Sequence, residues 1–321
     1  MSTHIWRHSP KDAVPLCFSV AQLIAMIWLA RTWSDAAPLA RAGGFVLITM
    51  LMTYNIIVVS HLFTHAPWFT ARRLNAVASL LNSICIGQSV QAYHLTHVRN
   101  HHRYNNDPIG DDGTTRDTSS TYRDGHDGEH SPLLRYVLLG ALDSLRTRGK
   151  DALAITRLWR IGARETQLLS LISRREPRRG QELRQVRADR AAHILSLAGF
   201  AVLSWQWTLL CYLPAFFVAL ALVNVQNYYR HFGADPSHRG ADAVSYYGRL
   251  YNLLAFNDGY HQEHHLSPST HWSQLPGVRE RRQDLLAARP RIISPVPAML
   301  GFLHRNRPLL HRSRTDISAN Q

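Results

Sequence analysis

Apolar stretches without a charged residue decide the class of this chain. Residues 13–30, "AVPLCFSVAQLIAMIWLA", are 18 long, and residues 42–60 are 19 more, ending directly at His61. At about 1.5 Å of rise per helical residue, each is about long enough to cross a hydrocarbon core of about 30 Å. Residues 191–229 run for 39 positions without Lys, Arg, Asp or Glu. That is too long for one crossing and about right for two, with Trp205, Trp207 and Pro214 where interfacial aromatics and a turn belong. We therefore expect an all-α integral membrane protein with about four transmembrane helices in two hairpins, 13–60 and 191–229. A signal peptide is the competing reading of 13–30, and the apolar stretch that follows at once argues against it.

Charge sets the orientation. The connection 31–41 has only Arg31 and Arg41 as bases and the expected turn at 205–214 has none, whereas residues 172–190 hold seven Arg. The positive-inside rule then puts residues 1–12, the middle segment 61–190 and the C-terminal segment 230–305 on the cytoplasmic side. A net charge of +14 fits an anionic membrane surface or nucleic acid, but no nucleic-acid module is visible, so no nucleic-acid partner is expected. The three cysteines lie far apart in apolar stretches and form no metal or redox motif. Residues 74–93 are uncharged but carry Asn75, Asn82, Gln88 and Gln91, so we expect a helix lying in the interface or dipping into the protein. Residues 103–131, dense in Gly, Asp, Ser and Thr, read as a mobile loop, and 306–321 as a disordered tail.

Against this background the 19 histidines are unevenly spread. "HLFTH" places His61 and His65 at i, i+4, one face of a helix. "HLTHVRNHH" holds His94, His97, His101 and His102; "HQEHH" holds His261, His264 and His265; His231 stands alone in "NYYRHFG". Two hairpins return the chain to its starting side, so all of these histidines share the cytoplasmic face and can converge. His94 and His97 lie three apart, and either could be a ligand; we favour His97. Nine candidate ligands, His61, His65, His97, His101, His102, His231, His261, His264 and His265, exceed what one ion takes and imply two, with open positions. Imidazole suits zinc, copper, iron and nickel alike, and an all-nitrogen pair with open positions suits oxygen activation by iron. Carboxylates that would hold the imidazole tautomers are sought in Asp107, Asp235, Asp258 and Glu263, with His271 as a further neighbour.

The three clusters resemble the histidine boxes of the membrane-bound fatty acid desaturase and hydroxylase superfamily. "FNDGYHQEHHLSPSTHWSQLP" looks especially like the third-box region of its bacterial members, and "NYYRHFG" resembles the segment that supplies an additional histidine. The resemblance covers residues 61 to about 276. It implies that the nine histidines bind two iron ions (Fe2+/Fe3+) and that Asn227 sits beside one iron, as through a water. It also implies a four-helix membrane stem, a cytoplasmic helical cap holding the di-iron site, a closed tunnel for a fatty acyl chain, and residence in a bacterial cytoplasmic membrane. The second box departs from the HxxHH common in desaturases. Its HxxxHH form looks more like alkane monooxygenases and alkene-forming fatty-acid decarboxylases.

The expected function is therefore oxygen-dependent introduction of a double bond into a fatty acyl chain, with O2 as co-substrate. Hydroxylation or alkene-forming decarboxylation at the same site are the alternatives, and a non-enzymatic membrane metal-binding or receptor protein is the reading from another class. The acyl group could arrive on a carrier protein, on CoA, in a phospholipid or as a free acid. No electron-transfer module is visible in the sequence, so electrons are expected from an external donor such as a ferredoxin, rubredoxin or cytochrome b5.

Overall fold

The computed structural model describes residues 5–126, 128–156, 166–287 and 292–303. The tail 306–321 lies outside them. Among the described residues the protein is built from helices, with two isolated β-bridges, Trp6 to Phe69 and Ser245 to Ile293, and no strand. The chain forms two compact units, Met1–Arg99 with Leu139–Val223 and Asn100–Leu138 with Asn224–Gln321.

In the first unit, Ser9 caps the turn that leads into α1 (Ala13–Thr32), and Pro38 starts α2 (Pro38–Tyr54), a position where a missing N–H costs nothing. The helix does not stop there. It continues through a π turn, Asn55–Ser60, into α3 (His61–His65). Three helices are long and apolar enough to cross a membrane: Pro10–Thr32, Pro38–His65 and Trp205–His231. The first two cover residues 13–60, where the first hairpin is expected.

The second apolar region differs from expectation. Its break falls at Ser204, ahead of the 205–214 turn inferred from composition, because Ser204 is extended and caps the next helix through Trp207 N. From Trp205 the helix runs on to His231, and a π turn at Thr208–Tyr212 lies just before Pro214, the residue expected to break it. Local π geometry is a known way to absorb the hydrogen bond that a proline removes. The preceding helix, Arg178–Leu203, has a charged first half, and its uncharged part, 191–203, covers only about 20 Å.

The uncharged segment 74–93 falls on two helices, α4 (Arg72–Ile86) and α5 (Val90–Thr96). Gly87 ends α4 at φ 64°, and a Cβ there would lie 2.7 Å from the Phe216 ring, so only glycine fits. Of the four polar residues that argued against a lipid-facing span, Asn82 joins a buried bolt. Asn55 Nδ2 donates to Ser19 Oγ (3.1 Å) and Gln22 Oε1 (2.9 Å), Ser60 Oγ donates to Asn55 Oδ1 (2.7 Å), and Ser19 Oγ donates to Asn82 Oδ1 (2.6 Å). Around it Met26, Ile48, Met52, Val59, Ile86 and Phe216 form the core. Asp189 makes a second bolt, accepting from Ser79, Ser89, Gln91 N and Gln185; burial raises its pKa against those four donors.

Part of the arginine-rich segment is structural. Glu182 is buried and accepts from Arg99, from Ser173 N (2.8 Å) and from Arg178 Nε (2.9 Å). Burial opposes its charge, but these donors hold its pKa at about 2. That lies below the unfolded value of about 4.3, so the stabilisation is complete above that pH and fades as pH falls toward 2. Glu182→Gln should cost about 1–2 kcal/mol at pH 7, discounted for the exposed Arg178 side, and the gap from native should close by pH 2. Thermal melts of both proteins across that range check this; a gap independent of pH would refute the charge-based account.

In the second unit, the described residues of 105–131 contain no helix, yet they are densely held. Asn106 Oδ1 accepts from Thr121 N and Oγ1, Asn100 Oδ1 from Thr118 N and Oγ1, and Asp107 from Arg116 N and Asp117 N. Asp117, Ser120 and Thr121 are fully buried. The composition that suggests mobility is also that of side chains which bond the nearby backbone and replace helix or sheet. Asn105 and Asn106 take left-handed backbone, which Asn tolerates. Further on, Gly259 precedes the helix His261–Leu266; a Cβ there would lie 2.1 Å from Tyr246 O and 2.7 Å from Asn252 Oδ1. The third cluster is thus launched from a turn with no room for a side chain.

Candidate metal centre

Each unit carries its own set of histidines. In the first, α3 follows directly on the π turn of Asn55–Ser60, and π turns recur beside functional sites because they re-aim the next side chains. His61 and His65 stand with ring centroids 4.9 Å apart, and His97 lies 4.7 Å from His61 and 5.0 Å from His65. One nitrogen of each lies within 4.8 Å of the others. His94 is turned elsewhere: its Nδ1 donates to Thr64 O at 2.8 Å. Of the two neighbours the geometry brings His97, and not His94, to the first cluster. Burial holds His94 below the ordinary imidazole pKa, so it is neutral at pH 7.

In the second unit His101, His231 and His265 present one nitrogen each, all within 4.8 Å of one another, and all three rings are buried. His261 packs 4.6 Å from His265, and His102 packs 4.7 Å from His264. Each member of the buried trio has an oxygen beside its Nδ1. His101 Nδ1 lies 2.7 Å from Asp117 Oδ2 and 3.1 Å from Ser119 Oγ; His231 Nδ1 donates to Asp242 O at 2.9 Å; His265 Nδ1 lies 3.6 Å from Asp242 Oδ2. A proton held on Nδ1 leaves the Nε2 lone pair facing the trio, the tautomer a metal needs. Among the described residues Nε2 of His231 and of His265 is buried with no hydrogen-bond partner, as are both nitrogens of His261. Burial keeps His261 well below the ordinary imidazole range; it also lowers His265, and Asp242 opposes the shift there. Neutral, desolvated lone pairs without protein donors fit a metal ion, since leaving them bare costs on the order of 1–3 kcal/mol each.

The carboxylates beside the trio, Asp117 and Asp242, are not those anticipated. Asp117 is buried, which disfavours its charge, but His101 and the Ser119 N–H and hydroxyl outweigh that and hold it below the usual carboxylate range. Asp107 acts one step further out, accepting from Asp117 N (2.8 Å). Asp235 is bound by Ser237 and His238, Asp258 by Arg230 and Tyr251, and Glu263 by Ser245 (2.9 Å) and Tyr247 (2.7 Å). His271 Nδ1 engages Ser273 Oγ. Asn227 donates to Ser119 O (3.1 Å) and Tyr136 Oη (2.7 Å), which ties it to the residue whose hydroxyl faces His101. Neither Asp117 nor Asp242 was marked by spacing, because Asp117 is one of many acids in an irregular loop and Asp242 lies 19 residues before the nearest box histidine.

A family model described as fatty acid desaturase matches residues 36–295. Sphingolipid delta(4)-desaturase from Komagataella phaffii is 33% identical over 90 residues, 28% of this chain and 24% of that protein. The protein of the same name from Candida albicans is 41% identical over 54 residues, 17% of this chain and 14% of that one. Sphingolipid delta(4)-desaturase DES1 from Xenopus tropicalis is 40% identical over 65 residues, 20% of each chain. The matched segments thus span about a quarter or less of these relatives.

Proposed function

Because the chain belongs to the fatty acid desaturase family, we propose that it is an oxygen-dependent membrane desaturase that introduces a double bond into the alkyl chain of a lipid. The observation that carries this reading is the buried trio His101, His231 and His265, each presenting one ring nitrogen within 4.8 Å of the others with an oxygen beside its Nδ1. We assign nine histidines, the trio with His61, His65, His97, His102, His261 and His264, to two irons. Bound there, iron would supply the oxygen activation that removes hydrogen from an unactivated methylene, chemistry no amino-acid side chain provides.

The protein's part is positional. Asp117 and the Asp242 carbonyl hold His101 and His231 in the lone-pair tautomer, and Asp107 and Ser119 fix Asp117 in turn. The rings cannot swing out, because each is packed against other imidazoles. Overall, two vicinal hydrogens, O2, two electrons and two protons become an alkene and two waters. The electrons come from a separate donor of the ferredoxin, rubredoxin or cytochrome b5 kind. Naming of the relatives as desaturases supports double-bond formation as the outcome. The wider HxxxHH box keeps hydroxylation and alkene-forming decarboxylation as the competing outcomes.

Lipids and headspace volatiles of cells expressing the native chain or His264→Ala test the reading by mass spectrometry. A product two mass units lighter, seen only with the native chain, is the expected result. A product one oxygen heavier or a terminal alkene would replace desaturation by the corresponding alternative, and metal-loaded protein that changes no lipid when given O2 and reductant would favour the receptor reading.

A further inference from the structure

A cavity of about 610 Å³ opens in the first unit beside α3, and nothing in the proposed chemistry uses it. Its floor is formed by Phe63, Thr64 and His94, so it abuts the helix that carries His61 and His65. Its rim carries Arg7, Arg72 and Arg178, all exposed, with Glu182 as the one acid in the lining. Three arginines against one glutamate leave the lining at +2, and Glu182 is already engaged by Arg99, Ser173 N and Arg178. Among the described residues the guanidinium groups of Arg7 and Arg72 meet no carboxylate and make no hydrogen bond.

We propose that this cavity receives the phosphate-bearing head group of the lipid substrate, with Arg7 and Arg72 as its principal ligands and Arg178 completing the rim. Its size suits a small-molecule head group, for which cavities of about 300–1,000 Å³ are usual, and a concave pocket does not suit the broad, flat footprint of an acidic protein. Guanidinium forks match phosphate oxygens in geometry as well as charge, and three of them exceed what a single carboxylate can satisfy. Such a head group would rest against Phe63 and Thr64 of α3, the helix that also carries His61 and His65. Of the arginines of 172–190, Arg178 thereby serves both the rim and Glu182.

The assignment rests on the lipid-oxidising role argued above, and binding tests it without turnover. The full chain in a non-ionic detergent is titrated calorimetrically with dihexanoyl phosphatidic acid, with neutral dihexanoylglycerol and with inorganic phosphate, and so is the Arg7→Gln, Arg72→Gln double variant. Both substitutions are at exposed positions, and a native melting temperature checks the fold. The expected result is binding of the phosphatidic acid, none of the neutral lipid, and about hundredfold weaker binding by the double variant, roughly tenfold per guanidinium. Displacement by inorganic phosphate only at high concentration assigns the lipid as the source; equal affinity for inorganic phosphate keeps the phosphate site but overturns the head-group assignment. Equal binding of the neutral lipid, equal binding by the double variant, or no binding of either phosphate overturns the site. Phosphate binding in a protein that oxidises no lipid would sink the proposed reaction and leave the cavity standing; oxidation indifferent to head-group phosphate would do the reverse.

Discussion

Replacement of His231 by alanine is expected to reduce the metal content of the purified protein from about two ions to about one and to lower turnover by more than about a hundredfold. Loss of a residue that merely supports a ligand costs roughly 10–100-fold, and loss of a ligand should exceed it. His231 is fully buried, its Nδ1 is committed to Asp242 O, and its Nε2 has no hydrogen-bond partner among the described residues. Deleting the ring leaves the Asp242 carbonyl without its donor and opens a buried cavity, partly offset by removal of the bare Nε2, so the metal-free fold should lose about 2–4 kcal/mol. Elemental analysis by plasma mass spectrometry, beside a melting curve of the metal-free protein, separates loss of metal from loss of fold. His238→Ala is the control: His238 is bound to Asp235 and Ser237 away from the trio, and its removal should leave both metal and turnover unchanged. Two ions retained in His231→Ala would refute the ligand assignment.

His231 also shows how far the sequence reaches. The apolar runs announce helices long enough to span a membrane and the boxes announce histidines that cluster, because both signals are local: a span needs about 20 apolar residues in a row, and HLFTH needs one helix turn. Sequence spacing left both His94 and His97 open while favouring His97, since the choice depends on Thr64 O, which takes up the His94 ring from 30 residues away. The break at Ser204 was hidden because proline is a stronger sequence signal than a single capping serine, while a π turn, which removes proline's conflict, has no compositional mark. The carboxylates failed for a related reason. Proximity to a box along the chain suggested Glu263 and Asp258, but the helix and turn that carry them aim both at tyrosines and an arginine or serine. What selects Asp117 is the folding of an irregular loop through Asn100, Asn106 and Asp107, a set of long-range side-chain bonds that no periodicity records.

That loop sets the second large effect. Asp117→Ala should lower iron affinity and turnover by about 10–100-fold, and Asp117→Asn should recover part of it. The carboxylate accepts from His101 Nδ1, Asn106 N, Ser119 N and Ser119 Oγ, four contacts spread over both oxygens. Asparagine keeps one acceptor oxygen, so it can still hold the Nδ1 proton of His101, but it loses the charge and forces an N–H toward a donor. Alanine leaves His101 Nδ1 with Ser119 Oγ at 3.1 Å and removes the anchor of the loop. A purely structural role for Asp117 predicts parallel losses of stability and activity, with asparagine and alanine equally damaging to metal binding. A tautomer-setting role predicts iron affinity in the order native, Asn, Ala, measured by chelator competition on protein that melts as native. Iron affinity unchanged in both variants would show that Asp117 serves the loop alone, and that the lone pair of His101 is set by Ser119.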